Sequence, residues 1–232
     1  MSEPRIALVA EGKTDLIIIQ AALRAILQRP FVLTQLQPEP TRPEMGEGWG
    51  GVYKWCKQFR ERSAASIEAD ATLSQYDLVI VHLDADVADK KYTDYSQAFA
   101  EDAAALATLP CSLPCPPAAD TAAALEAVLL SWLNIAATGA KSLFCIPSKA
   151  SEAWLATATL PEGHRLLAGI ECNLGLEAAL ANLPKKQRIR KSGSVYQTLA
   201  GAVTARWPDI TTLCTQAAEF ERRIQSIAAS FP

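Results

Sequence analysis

The run Ala7-Leu8-Val9-Ala10-Glu11-Gly12-Lys13-Thr14-Asp15 constrains this chain more than any other, because an apolar segment ends abruptly in a carboxylate, a glycine and a second carboxylate. Residues 6–10 have the length and apolar content of a buried strand. Residues 15–27 carry Leu16, Ile19, Leu23 and Ile26 at helical spacing. A strand feeding a helix so directly leaves a tight turn between them. Gly12 is expected to supply the backbone freedom for that turn, and Thr14 or Asp15 to cap the helix. Glu11 then stands at the carboxyl end of the strand.

The same pattern recurs twice. Residues 77–83 form a near-continuous apolar strand that runs into Asp84-Ala85-Asp86, and residues 141–147 form another that leads to Ser148-Lys149-Ala150-Ser151-Glu152. Such strands suit a sheet covered on both faces, and their alternation with helical segments predicts a mainly parallel α/β sheet flanked by helices. In sheets of that kind ligands bind beyond the carboxyl ends of the strands, so Glu11, Asp84 and Asp86 are expected on one edge. Their two-residue spacing points Asp84 and Asp86 the same way if the chain stays extended. Ser151 is expected to cap the helix that follows, and Glu152 can simply complement the helix's positive end.

Between these stretches the patterning predicts a strand at 31–36 and a loop at 37–51 rich in proline, glycine and acid. A helix follows at 52–69, with Trp55, Phe59 and Ile67 inward and Lys54, Lys57, Arg60 and Arg62 on the other face, either a solvated surface or a phosphate contact. Further helices are expected at 95–106, 121–137, 174–183 and 216–230. The expected architecture is a Rossmann-like α/β core over residues 1–158 with a mainly helical extension, 159–232, packed on it.

Half of the 232 residues are apolar, enough for a substantial core. The first residues do not resemble a secretory signal and no apolar run approaches a membrane span, so a cytoplasmic protein without membrane contact is expected. The six cysteines, at 56, 111, 115, 145, 172 and 214, are too scattered for a disulfide scaffold and are expected to be mostly reduced. Cys111 and Cys115, the close pair, fall two ligands short of a structural zinc site and read as part of a plain loop. The net charge of −3 gives no global attraction to nucleic acid, so any such contact must come from a local patch. Residues 185–191, with Lys185, Lys186, Arg188, Arg190 and Lys191, are the strongest basic cluster, either a solvated face or a phosphate contact.

Strand ends that each carry a carboxylate imply a crowded negative site. Like charges a few ångströms apart raise one another's pKa unless a cation neutralises them. An oxygen-rich site without a histidine or cysteine cluster suits Mg2+ or Mn2+ rather than zinc, and such an ion can hold a phosphodiester, polarise it and activate water. Gly12-Lys13-Thr14 is not the end of a P-loop, because Ala7 occupies the position that requires a glycine. No Ser-His-Asp triad is evident around His82 or His164, and His82 reads as a packed or hydrogen-bonded core residue.

Glu11 and Asp84-Ala85-Asp86 resemble the Toprim (topoisomerase-primase) domain, in which a strand is followed by a glutamate and a later strand by an Asp-x-Asp motif. The variant Glu-Gly-x-Thr-Asp at 11–15 and Ser-Glu-Ala-Trp at 151–154 look like bacterial Toprim-like proteins related to the OLD-type nucleases of phage defence. The resemblance covers residues 5–155. It implies a divalent-metal site of Glu11, Asp15, Asp84, Asp86 and Glu152, with Glu11, Asp84 and Asp86 as catalytic groups. Lys191 is the candidate lysine for approach to the scissile phosphate. OLD-type proteins also carry an ATPase domain that these residues lack, so the chain either acts alone or works with an ATPase from another polypeptide.

The function expected is therefore Mg2+- or Mn2+-dependent hydrolysis of nucleic-acid phosphodiesters, with DNA favoured over RNA. Two alternatives stay open: a non-catalytic Toprim-like subunit that binds an ATPase or nucleic-acid partner, and a metal-dependent hydrolase of small phosphate esters.

Overall fold

The computed structural model describes residues 2–62 and 64–231. Its centre is a parallel four-stranded sheet of β1 (Arg5–Val9), β2 (Val32–Gln37), β3 (Leu78–His82) and β4 (Ser142–Cys145), in the order β2-β1-β3-β4. Helix α1 (Lys13–Leu27) carries the chain from β1 to β2, and α2 (Gly48–Glu61) lies on the way back across β1 to β3. The winding direction therefore reverses between β1 and β3, which opens a crevice at their carboxyl ends.

Side-chain alternation builds a separate core on each face. Ile6, Leu8, Leu78, Ile80, Leu143 and Cys145 face one helical layer, while Ala7, Val9, Val79, Val81 and Phe144 face the other. The second layer contains α2 and α4 (Ala118–Leu133), with Trp132 fully buried. The first contains α1, α5 (Glu152–Thr159), α6 (Leu176–Ala181), α7 (Gly193–Ala205), α8 (Trp207–Leu213) and α9 (Thr215–Ala228). A short helix, α3 (Gln97–Asp102), stands between β3 and α4. The Thr204 hydroxyl on α7 donates to the Ala21 carbonyl on α1 (2.9 Å), so the C-terminal helices complete the layer over the first βα unit.

Several local expectations are corrected. Helix α1 has Gly12 as its N-cap with no side-chain cap, so neither Thr14 nor Asp15 fills that role. Gly12 has φ −151°, an extended conformation open to any residue. Its use is space, because a Cβ there would stand 3.3 Å from Asp15 Oδ2. The end of the predicted 37–51 loop is instead the first turn of α2, reached through positive φ at Gly46 and Gly48. That helix stops at Glu61. Of the rest of the predicted 52–69 span, Ser63 lies outside the described residues and 64–69 form no helix. The cations of that face stay partly solvated and also find partners: Lys57 pairs with Asp102 (2.7 Å), Arg60 donates to the Trp132 carbonyl (3.1 Å), and Arg62, just past α2, pairs with Asp70.

The expected helix at 95–106 shrinks to α3 because the Ser96 hydroxyl caps Phe99 N–H (3.0 Å) and starts it late. Helices α7 and α8 lie in a stretch that periodicity left unassigned; the Ser192 hydroxyl starts α7 by accepting from Val195 N–H (3.3 Å). Cys115 does not group with Cys111. It forms a disulfide with Cys172, 57 residues away with Cα atoms 5.5 Å apart, while Cys56, Cys111, Cys145 and Cys214 are free thiols. Closeness in sequence failed as a guide here because the Cys111 N–H is drawn to the Ala88 carbonyl (2.8 Å) and Cys115 to the turn at Ile170–Cys172. No helix among the described residues is long and apolar enough to cross a membrane.

Candidate metal centre

The carboxyl ends of β1, β3 and β4 meet in one hydrogen-bonded cluster. Residues 83–86 are laid against the β4–α5 loop by backbone bonds, Leu83 N–H to Cys145 O (3.1 Å), Ala85 N–H to Pro147 O (3.0 Å) and Asp86 N–H to Lys149 O (3.0 Å). Lys149 takes φ 59° to present that carbonyl, an uncommon conformation for a residue with a Cβ. Asp84 N–H donates to Glu11 Oε1 (2.7 Å), which ties the end of β3 to the end of β1 across the crevice.

Ser151 links the remaining parts. Its N–H donates to Asp84 Oδ1 (3.0 Å) and its hydroxyl donates to Asp15 Oδ1 (2.6 Å). The expected helix cap is therefore absent, since the hydroxyl serves a carboxylate from another element. Asp15, on the first turn of α1, is buried and turned inward. Glu152, at the first position of α5, is 0 % exposed; its Oε1 accepts from the Tyr196 hydroxyl (2.8 Å) and pairs with Lys191 Nζ (3.0 Å). Its other oxygen, Oε2, is buried without a partner.

The Asp84/Asp86 pair does not keep the extended geometry expected of it. A 3-10 turn begins at Ala85 and separates a buried Asp84 from a half-buried Asp86. Asp86 still lies within the electrostatic field of Glu152 and Lys191. His82 is fully buried with Nε2 3.2 Å from Asp84 Oδ1. An ionised Asp84 fixes the Nε2–H tautomer, which makes His82 a donor that orients Asp84. Glu11, His82 and Asp84 can bring ligand atoms within 4.8 Å of one another. The group therefore offers one ring nitrogen beside two carboxylates, and His82 Nδ1 is itself buried without a partner.

Burial pushes Glu11 well above the usual carboxylate range, with the negative charges of Asp84 and Asp15 adding to it. Asp84 is raised in the same way by burial and then by Asp15, Glu152 and Asp86. Asp86 is raised by burial against the opposing pull of Lys90 and Lys191. Burial alone would lower the Lys191 ammonium, but Glu152 and its neighbours outweigh burial and hold it above its ordinary value. Burial and the Glu152 charge raise the Tyr196 phenol. The cluster thus gathers more acidic groups than Lys191, its ion-pair partner at Glu152, can neutralise, and the acids raise one another.

A cleft of about 350 Å³ opens beside the cluster, lined by Glu11, Gly12, Lys13, Thr14, Asp15, Glu47, Gly48 and Lys191. Gly48 N–H donates to the Glu11 carbonyl (2.8 Å), which seats the start of α2 as one wall. Glu11, Asp15 and Lys191 reach the cleft, whereas Asp84 and Glu152 stand behind it. Lys191 also contacts the exposed Glu177 (3.2 Å) and so bridges a buried and a solvated carboxylate.

Sequence patterning missed the roles of Ser151 and Tyr196, whereas His82 is the hydrogen-bonded core histidine that was expected. Serine before a helix reads as a cap, and Tyr196 lies in a stretch to which periodicity assigned no element. Comparison with protein-family models, curated proteins and solved structures gave no significant match.

Proposed function

We propose that this chain is a Toprim-like phosphodiesterase that uses Mg2+ or Mn2+ to hydrolyse nucleic acid, DNA in preference to RNA. The observation that carries the reading is the Glu152 carboxylate, 0 % exposed with Oε2 unpartnered, inside a cluster that already holds Asp15 and Asp84. A buried oxygen without a donor is costly, and a second cation beside Lys191 would satisfy it. The donor set of carboxylates fits a hard divalent ion. Glu11 and Asp84, whose ligand atoms come within 4.8 Å of each other, would hold it, with Asp15 and Glu152 as neighbouring acids and Asp86 at the rim.

Such an ion supplies Lewis-acid polarisation of the phosphodiester and lowers the pKa of water. The chain's own groups do the rest. Ser151 and His82 fix the orientation of Asp84, Tyr196 fixes Glu152, and Glu11 and Asp15 face the cleft where a phosphate would enter. Lys191, on the cleft wall, is placed to neutralise a phosphate oxygen once it is released from Glu152. The resemblance extends the reading to cytoplasmic phage defence with an ATPase supplied by another polypeptide.

Incubation of the purified protein with plasmid DNA and with RNA, with Mg2+ or Mn2+, tests this beside Glu11→Gln and Asp84→Asn. Cleavage by the parent and its loss in both variants supports the assignment; equal activity in all three sinks it. One observation favours the non-catalytic subunit: Lys191 is held by two carboxylates, at 3.0 and 3.2 Å, which withdraws the cation a substrate would need. Co-purification with an ATPase and no cleavage by the chain alone would mark that role.

A further inference from the structure

Lys185, Lys186, Arg188 and Arg190 form no ion pair with any carboxylate among the described residues. They crowd into six residues of a chain whose net charge is −3. Four like charges this close repel one another, and among the described residues no carboxylate pairs with them. Elsewhere, cations such as Lys57, Arg62 and Arg223 are matched with acids.

The loop that carries them is held in shape. Ile189 is buried, Ile189 N–H donates to the Leu180 carbonyl (3.1 Å), and Arg188 Nε donates to the Leu183 carbonyl (3.1 Å). That anchoring turns Lys186 and Arg188 toward a groove of about 570 Å³ between the end of α5 and α7. Neutral hydrogen-bonding side chains, Thr159, Gln187 and Thr198, share its lining, and no carboxylate does. Arg206 closes one side, where it donates to the Ala158 and Leu160 carbonyls (both 3.2 Å).

The groove is connected to the acidic cleft by the chain itself. Lys191 lines that cleft, and Arg188 is three residues earlier, at most about 11 Å along the backbone. A groove that sets Lys186 and Arg188 beside apolar Leu160, Val195 and Leu199, on the same stretch of chain as the acidic cleft, matches a polymer that combines a repeated negative charge with apolar base faces.

We propose that this groove binds the phosphate backbone of a nucleic-acid strand, through Lys186 and Arg188, while the adjoining phosphate lies at the acidic cleft. The proposal takes the phosphodiesterase reading as its starting point but is tested by binding alone. A fluorescently labelled oligonucleotide, single-stranded and as duplex DNA, is titrated with protein in EDTA across a range of salt. The variants are Lys186→Glu with Arg188→Glu and, as a charge-matched control, Lys185→Glu with Arg190→Glu, since those two residues lie on the same loop outside the groove lining. All four are exposed, but Arg188 also bonds the Leu183 carbonyl, so thermal melts of both variants are compared with the parent, and Lys186→Glu alone, which keeps that bond, should already weaken binding more than Lys185→Glu alone.

The groove pair should weaken binding about tenfold or more. It should also flatten the dependence of log affinity on log salt by about 1.4 for a single strand or about 1.8 for a duplex, the loss of two phosphate contacts. The control pair should do distinctly less. Equal losses from both pairs would reduce the groove to a diffuse field, and no binding by the parent, or no loss from the groove pair, would also overturn the proposal. So would polyglutamate binding as tight as DNA, which would instead identify an acidic protein partner. Cleavage is assayed separately with Glu11→Gln: binding without cleavage in any protein refutes the hydrolase and leaves the groove, whereas cleavage that ignores the groove pair refutes the groove alone.

Discussion

The Ser151 hydroxyl donates to Asp15 Oδ1 at 2.6 Å, joining residues 136 positions apart in sequence. Through its own N–H to Asp84, Ser151 also fixes a second acid. One residue therefore sets the separation of two carboxylates from different βα units. Ser151→Ala should leave the buried Asp15 without its donor and cost about 1–3 kcal/mol in urea unfolding. Ser151→Thr should recover part of that loss. A stability change below the error of the titration would mean that the bond contributes nothing.

Removing a charge from the cluster should have opposite effects with and without metal. Asp84→Asn relieves the repulsion with Asp15, Glu152 and Asp86, so the metal-free variant should melt at or above the parent. In Mn2+ the order should reverse. A divalent ion at 100 times its dissociation constant stabilises the parent by about 2.7 kcal/mol. The variant should gain little, and EDTA should abolish the difference. Thermal melts of both proteins in EDTA and in Mn2+ check this.

The pH dependence has a definite sign. Burial, helped by neighbouring acids, raises Glu11 and Asp84 above their ordinary 4.5 and 3.8, so the folded protein binds more protons than the unfolded chain over the interval above those values. Their contribution to metal-free stability is then greatest below the ordinary values and falls as pH rises through the raised ones. Metal binding runs the other way, weakening as pH falls because protons compete for the same oxygens. Calorimetric titration of Mn2+ at several pH values should show protons released on binding, and a pH-independent affinity would contradict the assignment.

Lys191 supplies the positive charge nearest Glu152. Lys191→Gln should lower metal-free stability by about 1–3 kcal/mol, the cost of stranding a buried carboxylate, discounted because the lysine is partly exposed. Mn2+ should restore more stability to this variant than to the parent, because the ion replaces the missing charge. Equal metal-dependent gains in the two proteins would show that lysine and metal do not share a site.

The Cys115–Cys172 disulfide closes a 57-residue loop, which the chain-entropy relation values at about 4 kcal/mol. It also holds the segment whose Glu171 carbonyl accepts the Ser148 hydroxyl, at the start of the loop leading to Ser151. Alkylation of the denatured, unreduced protein should label four thiols by mass and, after reduction, six. Cys172→Ser should lower the melting temperature, and no change would mean that the link does not constrain the unfolded chain.

Legibility in the sequence followed the range of the interaction. Apolar runs such as 78–82 and the helical spacing of Leu16, Ile19 and Leu23 report local geometry, so the parallel sheet and its helical layers could be anticipated. Boundaries were less accessible wherever a side chain intervened, as Ser96 does at α3. Helices α7 and α8 bury Tyr196, Ala200, Val203, Trp207 and Ile210 at helical spacing, but Ala200 is small and Pro208 interrupts the run, so the stripe is weak in sequence.

What the sequence alone determined was the edge of the sheet on which the acids gather, because strand ends and acidic residues coincide at Glu11, Asp84 and Glu152. Whether those acids touched, and through what, depended on tertiary structure. Ser151 became a bridge instead of a cap, Gly12 a spacer instead of a hinge, Lys191 a counter-charge to Glu152, and Cys115 the partner of a cysteine far from Cys111. The physical reason is one of distance. Periodicity encodes contacts within a few residues, whereas a hydrogen bond across 136 positions exists only after the strand order β2-β1-β3-β4 has brought its two ends together.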